Sequence, residues 1–156
     1  MTNSNKLTRH TAREKVLQAL FAVDISGENP DLMFAYIFED VNTECDEFIF
    51  AKDLFQKTIR NKEEFIHLIN SKLKNWKFDR LTTIDKTILL MSICEFLDFS
   101  DIPKKVTLNE AITLAKHFST EQSGKFVNGI LDAILHELEK ENKINKSGRG
   151  LLNTKK

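Results

Sequence analysis

Four histidines, two cysteines and scattered carboxylates are the groups in this chain that metal or acid–base chemistry would need. The histidines stand at 10, 67, 117 and 136. Glu64 and His67 form one E-x-x-H, but a carboxylate-bridged di-metal centre takes two such pairs plus two further Glu. Asp132 and His136, four apart on a helical pattern, read as surface electrostatics. Cys45 and Cys94 lack metal-ligand spacing, and Cys94 lies in an apolar run, as a small buried hydrophobe does. Glu44, Asp46 and Glu47 have neither the spacing nor the glycine of a calcium loop. The chain also has no Gly-rich phosphate loop and no G-x-S-x-G. Catalysis has no constellation to rest on, so no enzymatic activity, metal or cofactor is expected.

Binding chemistry is better represented. Arg9 and Arg13 are four apart and share a face of a helix that Thr8 or Thr11 can cap. Lys6 and His10 lie beside them, and the helix N-terminus adds partial positive charge. This combination suits a phosphate; a solvated first turn explains it equally well. A second polar group interrupts the apolar pattern between 118 and 132. There Gln122 and Lys125 share an exposed face at a helix start, and Asn128 ties down a neighbouring loop or stands alone. Gly129, on the same helix, suits a close helix approach.

The elements that must position these groups are helical. Two prolines and five glycines in 156 residues leave little material for tight β-turns, and no segment alternates with period 2. The first helix has a stripe at 16, 17, 20, 21 and 23. Pro30 at a first helical position opens a short second one. Helical pattern continues from Asp46 to Lys74 with a break near Asn61, and Trp76 and Phe78 follow as core or lid aromatics. Leu81 to Phe99 is apolar on most sides, as a central buried helix is. Val106 to Asp132 reads as two helices around a tight corner. Thr107 and Glu110 have capping-box spacing at the start of the first, and the second is apolar at 126, 127, 130, 131, 134, 135 and 138. The expected fold is all-α, six or seven helices in two small packed sub-bundles. Residues 1–139 form one helical domain, and 140–156 form a basic tail without regular structure.

The net charge of zero hides a segregation. Residues 1–16 carry +3, residues 24–47 carry eight acids and no Lys or Arg, and residues 140–156 carry +5. An anion can therefore use one face while a different partner uses another. No apolar run reaches 18 residues, the first ten residues have no signal-peptide character, and the cysteine usage suits a reducing cytoplasm.

Three blocks of residues resemble the NusB family of bacterial transcription antitermination factors. The first is Arg9-His10-Thr11-Ala12-Arg13-Glu14 with Gln18, Leu20, Phe21 and Asp24. The second is Ile84-Asp85-Lys86 with Glu95-Phe96-Leu97. The third runs from Ile102-Pro103 through Asn109-Glu110-Ala111 and Leu114-Ala115-Lys116 to Lys125-Phe126-Val127-Asn128-Gly129-Ile130-Leu131-Asp132. Residues 25–80 match in helical pattern alone.

The resemblance implies binding of boxA, a single-stranded RNA element of ribosomal RNA leaders, together with NusE, a small-subunit ribosomal protein. It further implies joining RNA polymerase with other Nus factors, as a monomer or a homodimer. By the same similarity Lys6, Arg9, His10 and Arg13 fall on the RNA side. Phe118, Gln122, Lys125 and Phe126 complete that surface, and Phe21 and Asp85 fall where the family meets NusE. This chain departs from the family pattern in four places. His10 stands for a frequent Arg, Phe21 for Tyr, Leu90 and Cys94 for Arg and Tyr, and Gln122 for an acid. The first change makes a charge pH-dependent, and the last removes a negative charge beside a polyanion.

Two other classes of function compete. One is a protein-interaction scaffold with weak intrinsic RNA binding, which the acidic segment 24–47 favours. The other is a domain of an RNA-modifying enzyme, since ribosomal RNA cytosine methyltransferases carry a NusB-like domain. This chain has no parallel αβ pattern and no Gly-rich cofactor loop to support the latter.

Overall fold

The structure, a computed structural model, describes residues 6–75 and 77–152. Trp76 and the last four residues of the tail therefore lie outside the described residues. Among those described there are seven α-helices, two short 3-10 turns and no strand. The helices are α1 (Arg9–Ser26), α2 (Pro30–Ile37), α3 (Asp46–Arg60), α4 (Lys62–Lys72), α5 (Thr83–Asp98), α6 (Lys104–Phe118) and α7 (Glu121–Lys140). Among the described residues no helix is long and apolar enough to cross a membrane. The chain divides into two compact units, Met1–Gln56 and Lys57–Lys156.

In the first unit Thr8 caps α1. Its hydroxyl accepts the Thr11 N–H at 3.0 Å, and the Thr11 hydroxyl accepts the Thr8 N–H at 2.8 Å. Two orphan donors are thus satisfied reciprocally. Gly27 ends α1 at φ 70°, a left-handed conformation that glycine adopts without penalty, and its N–H reaches Val23 O. Asn29 and Pro30 then start α2, the Asn29 side chain accepting from Asp31 and Leu32 N–H. α1 packs on α2 and buries Ala12, Val16, Leu17 and Ala19. The Lys15 amine donates to Ile37 O at the end of α2. Phe34, Phe38, Phe50 and Phe55 complete this core.

In the second unit α5 touches α4, α6 and α7, and α6 pairs with α7. Ile88, Leu89, Met91, Ile93, Cys94 and Phe96 on α5 are all fully buried or nearly so. Each such side chain contributes about 1.5–3 kcal/mol relative to exposure, so packing rather than helix propensity holds this helix. The break at Asn61 separates α3 from α4, with φ −104° and ψ 15° at that residue.

One expected cap is corrected. α6 begins at Lys104, one turn before the Thr107–Glu110 pair, because Pro103 sets the extended entry to the helix at φ −60° and ψ 139°. Thr107 is inside the helix and buried, and its hydroxyl donates to Glu95 Oε1 at 2.9 Å. The buried carboxylate on α5 thereby gains a partner from α6.

Sequence pattern reads residues 140–156 as a tail, yet its described part lies against the end of α5. The Lys146 amine donates to Phe99 O at 2.7 Å and to Glu95 O at 3.0 Å. Ser147 N–H donates to Ser100 O at 3.0 Å. A Cβ on Gly150 would stand 1.8 Å from Ser100 O, so only glycine fits there. These contacts satisfy carbonyls that a helix C-terminus leaves without intrahelical partners. Burial lowers the Lys146 pKa, against the raising effect of Glu95 and Asp101.

Candidate functional site

The sequence-derived candidates fall in both units. In the first unit Lys6 is exposed ahead of α1, and Arg9 is exposed at its first position. The Arg9 guanidinium stands 4.3 Å from the centroid of the Phe50 ring, and that of Arg13 stands 5.1 Å from the same ring. Arg13 is 2% exposed, so its charge lies inside the unit, whereas Arg9 keeps an open side. One aromatic face thus organises both cations. His10 is half-buried, with Nε2 3.7 Å from Glu14 Oε1, a pair that is ionic only when the imidazole is protonated. The first turn of α1 holds no acid. Phe21 is half-buried further along α1.

In the second unit the corner between α6 and α7 is built by Thr120 and Ser123. Thr120 caps α7, its hydroxyl accepting the Ser123 N–H at 3.0 Å. The Ser123 hydroxyl in turn donates to Asp85 Oδ1, which stands one turn into α5. Asp85 is 9% exposed and its N–H is taken by the Thr82 hydroxyl. The residue that the resemblance assigns to a partner is therefore tied into this unit's own framework.

This corner presents the other candidates. Gln122 and Lys125 are both exposed on the first turns of α7, the shared face expected from their spacing. Phe118 and Phe126 are half-buried. The Phe118 ring meets His117 edge to face at 4.6 Å, and Lys116 pairs with Glu121 at 3.7 Å. Phe126 and Ile130 line a recess of about 240 Å³ together with Leu73, Lys74 and Asn75. Asn128 is exposed.

The close helix approach expected at Gly129 occurs instead at Gly124. A Cβ on Gly129 would meet nothing within 4 Å, whereas one on Gly124 would stand 3.0 Å from Lys116 Cγ. Gly129 faces outward on α7; Gly124 faces α6.

The arrangement can do three things chemically. Exposed Arg9 and Lys125 can neutralise phosphates, the Gln122 amide can pair with a base edge, and the half-buried rings can stack on bases. Phe50, Lys74 and Asn75 escaped the sequence reading. Phe50 sits in the apolar pattern of α3, and nothing in that pattern signals that its outer face carries guanidinium groups. The two loop residues carry no periodic signal at all. Acid–base and redox groups give little. Burial pushes the Cys94 thiol up to about 12, Glu64 and His67 are both exposed, and among the described residues no three His, Cys, Asp or Glu gather as metal ligands.

Comparison with known proteins adds the following. The family model described as the NusB family matches residues 10–136. The transcription antitermination protein NusB of Salinibacter ruber is 37% identical over 146 residues, covering 93% of this chain and 91% of that protein. Its counterpart in Bacillus licheniformis is 40% identical over 133 residues, covering 85% of this chain and all of that protein. T. maritima NusB superposes with a TM-score of 0.79 at 34% identity, over 85% of this chain and 93% of that one. A chain from the crystal structure of antitermination factors NusB and NusE in complex with dsRNA superposes with a TM-score of 0.76 at 28% identity, over 83% and 96%.

Proposed function

The chain belongs to the NusB family, and from that premise we propose that it is a transcription antitermination factor that binds boxA RNA. It does so together with NusE, and the pair joins RNA polymerase and other Nus factors. The observation that carries the RNA assignment is Arg9, an exposed guanidinium held 4.3 Å over the Phe50 ring. A cation that is already oriented loses less rotamer freedom when a phosphate arrives. The solved complex of a similar chain with NusE and dsRNA supports NusE and RNA as classes of partner.

In this reading Lys6, Arg9, His10 and Lys125 meet phosphates, and Phe118, Gln122 and Phe126 discriminate single-stranded bases. Arg13 works from within by fixing the Phe50 platform, and Phe21 and Asp85 serve the NusE side. The protein acts by binding rather than by catalysis, in the cytoplasm. The RNA-binding work belongs to residues 1–139, and residues 140–156 lie outside it.

Titration of boxA RNA with and without NusE, at two salt concentrations, tests the proposal. RNA affinity that rises with NusE and falls with salt is the expected result. A scaffold with weak intrinsic RNA binding is the second reading, favoured by the eight acids of residues 24–47. Binding of NusE without any gain in RNA affinity would select it.

A further inference from the structure

The acidic segment has a cavity at its centre. Phe34 and Phe38 stack at 4.3 Å, and Phe48 and Phe55 approach Phe34 at 5.7 and 5.0 Å. These four rings floor an open cavity of about 480 Å³ within the first unit, with Asp31 and Glu39 at its rim. The volume has room for more than one apolar side chain of a docked peptide. Next to it on α2, Leu32 and Tyr36 are 62% and 69% exposed, and their four-residue spacing puts them on one face. Exposed apolar side chains thus stand beyond the Asp31, Ala35 and Glu39 edge of the cavity, on the next face of the helix.

The charge determines what can enter. Residues 24–47 carry eight carboxylates and no Lys or Arg. Asp40 shares the Lys15 amine at 3.8 Å, and Lys52 is the one cation among the residues that line the cavity. A nucleic acid or an anionic lipid would meet this field with repulsion, while a cationic chain would be drawn towards it. The cavity is also preorganised, because Asn29 and Pro30 set the start of α2 and the ring cluster holds its end.

We infer that this cavity docks a basic segment of another protein, with one bulky apolar side chain seated on the four rings and its flanking Lys or Arg residues against the carboxylates. A leucine side chain sits on the rings with room left beside it, a second apolar residue covers Leu32 and Tyr36, and the cations meet Asp31 and Glu39. Nothing in this rests on the RNA assignment. The surface used is the acidic one, and the factor would hold a basic protein segment there while its cationic groups remain available.

The experiment uses the full chain and a fluorescein-labelled ten-residue peptide, Gly-Lys-Arg-Lys-Leu-Leu-Lys-Arg-Lys-Gly. Saturable binding that weakens with salt is expected, with chemical-shift changes concentrated on the rings of Phe34, Phe38, Phe48 and Phe55. Ala35 is exposed and lines the cavity, so Ala35→Trp plugs it without disturbing the core. That variant, and the same peptide with both leucines replaced by serine, should each lower affinity by about tenfold. Asp31→Lys with Glu39→Lys, both exposed, should do the same and weaken the salt dependence. Circular dichroism confirms folding of each variant. Equal binding of the serine peptide, unchanged binding by Ala35→Trp, or no binding to the wild-type chain would overturn the proposal. Self-association of the wild type that Ala35→Trp abolishes would also overturn it, by making a second copy the occupant. Loss of boxA binding would leave each of these outcomes unchanged, so failure of the RNA assignment is separable.

Discussion

The Ser123 hydroxyl donates to the Asp85 carboxylate, and this single bond ties the first turn of α7 to the first turn of α5. Both side chains are buried, at 6% and 9% exposure. Ser123 also donates its N–H to the α7 cap, Thr120, so one residue serves both the local cap and the long-range tie.

Ser123→Ala should therefore cost about 1–3 kcal/mol, because it leaves a buried carboxylate short of a donor. Asp85→Ala should cost a similar amount. The double variant should be less destabilised than the two singles combined, since the second change removes a group that has already lost its partner. Urea denaturation of the three variants measures this, and strict additivity would show that the bond carries no coupling.

Arg9 and Arg13 share the Phe50 ring but should respond differently. Arg9→Ala should lower boxA affinity and reduce the slope of log affinity against log salt by about 1, with a smaller fall in melting temperature than Arg13→Ala. Arg13→Ala should lower stability as well, because Arg13 is buried. Phe50→Leu keeps an apolar side chain but removes the aromatic face, and should reproduce the Arg9→Ala affinity loss in part. Fluorescence titration beside thermal melts separates the three. A melting change for Arg9→Ala equal to that for Arg13→Ala would sink the division of roles.

The two glycines of α7 give opposite expectations. Gly129→Ala places a methyl in open space and should stabilise the helix by about 0.5–1 kcal/mol. Gly124→Val pushes branched atoms towards the Lys116 stem, which stands 3.0 Å from the nearest Cβ position, and should destabilise. Thermal unfolding of both variants is the check.

Cys94 should give the alkaline limb of the stability curve. Burial, first among the causes, raises its pKa from 9.0 to about 12 in the folded state. A raised folded pKa means that the folded chain holds the proton longer than the unfolded one. The stabilisation is therefore complete below pH 9 and is lost as pH climbs towards 12, at up to about 1.4 kcal/mol per pH unit. Cys94→Ala should flatten that slope. At pH 8 a thiol reagent should label half-buried Cys45 in the native protein and reach Cys94 only after unfolding.

The helices were legible because apolar periodicity and punctuation agree. Pro30 opens α2, Asn61 separates α3 from α4, and the run that is apolar all round is the buried α5. Gln122 and Lys125 share an exposed face, as their spacing requires. The failures have one cause, which is that local pattern carries no tertiary partner. Thr107 has the spacing of a cap, yet Pro103 starts the helix earlier and a buried glutamate claims the hydroxyl. Gly129 stood out beside a polar residue, yet the neighbouring helix lies on the Gly124 side. Residues 143–151 have no periodicity because they are held by one amine and a few backbone bonds rather than by an apolar stripe.

The Lys146 contact also sets an order of events during synthesis. Its amine closes the end of α5 through carbonyls that precede it by 51 and 47 residues. The first unit has its full complement of residues once Gln56 is made. The second unit, by contrast, keeps an unfinished helix end until Lys146 and Ser147 have emerged. A nascent chain arrested at residue 142 should already protect the first unit from protease while α5 stays open to cleavage near Phe99. Release of the remaining residues should close that site.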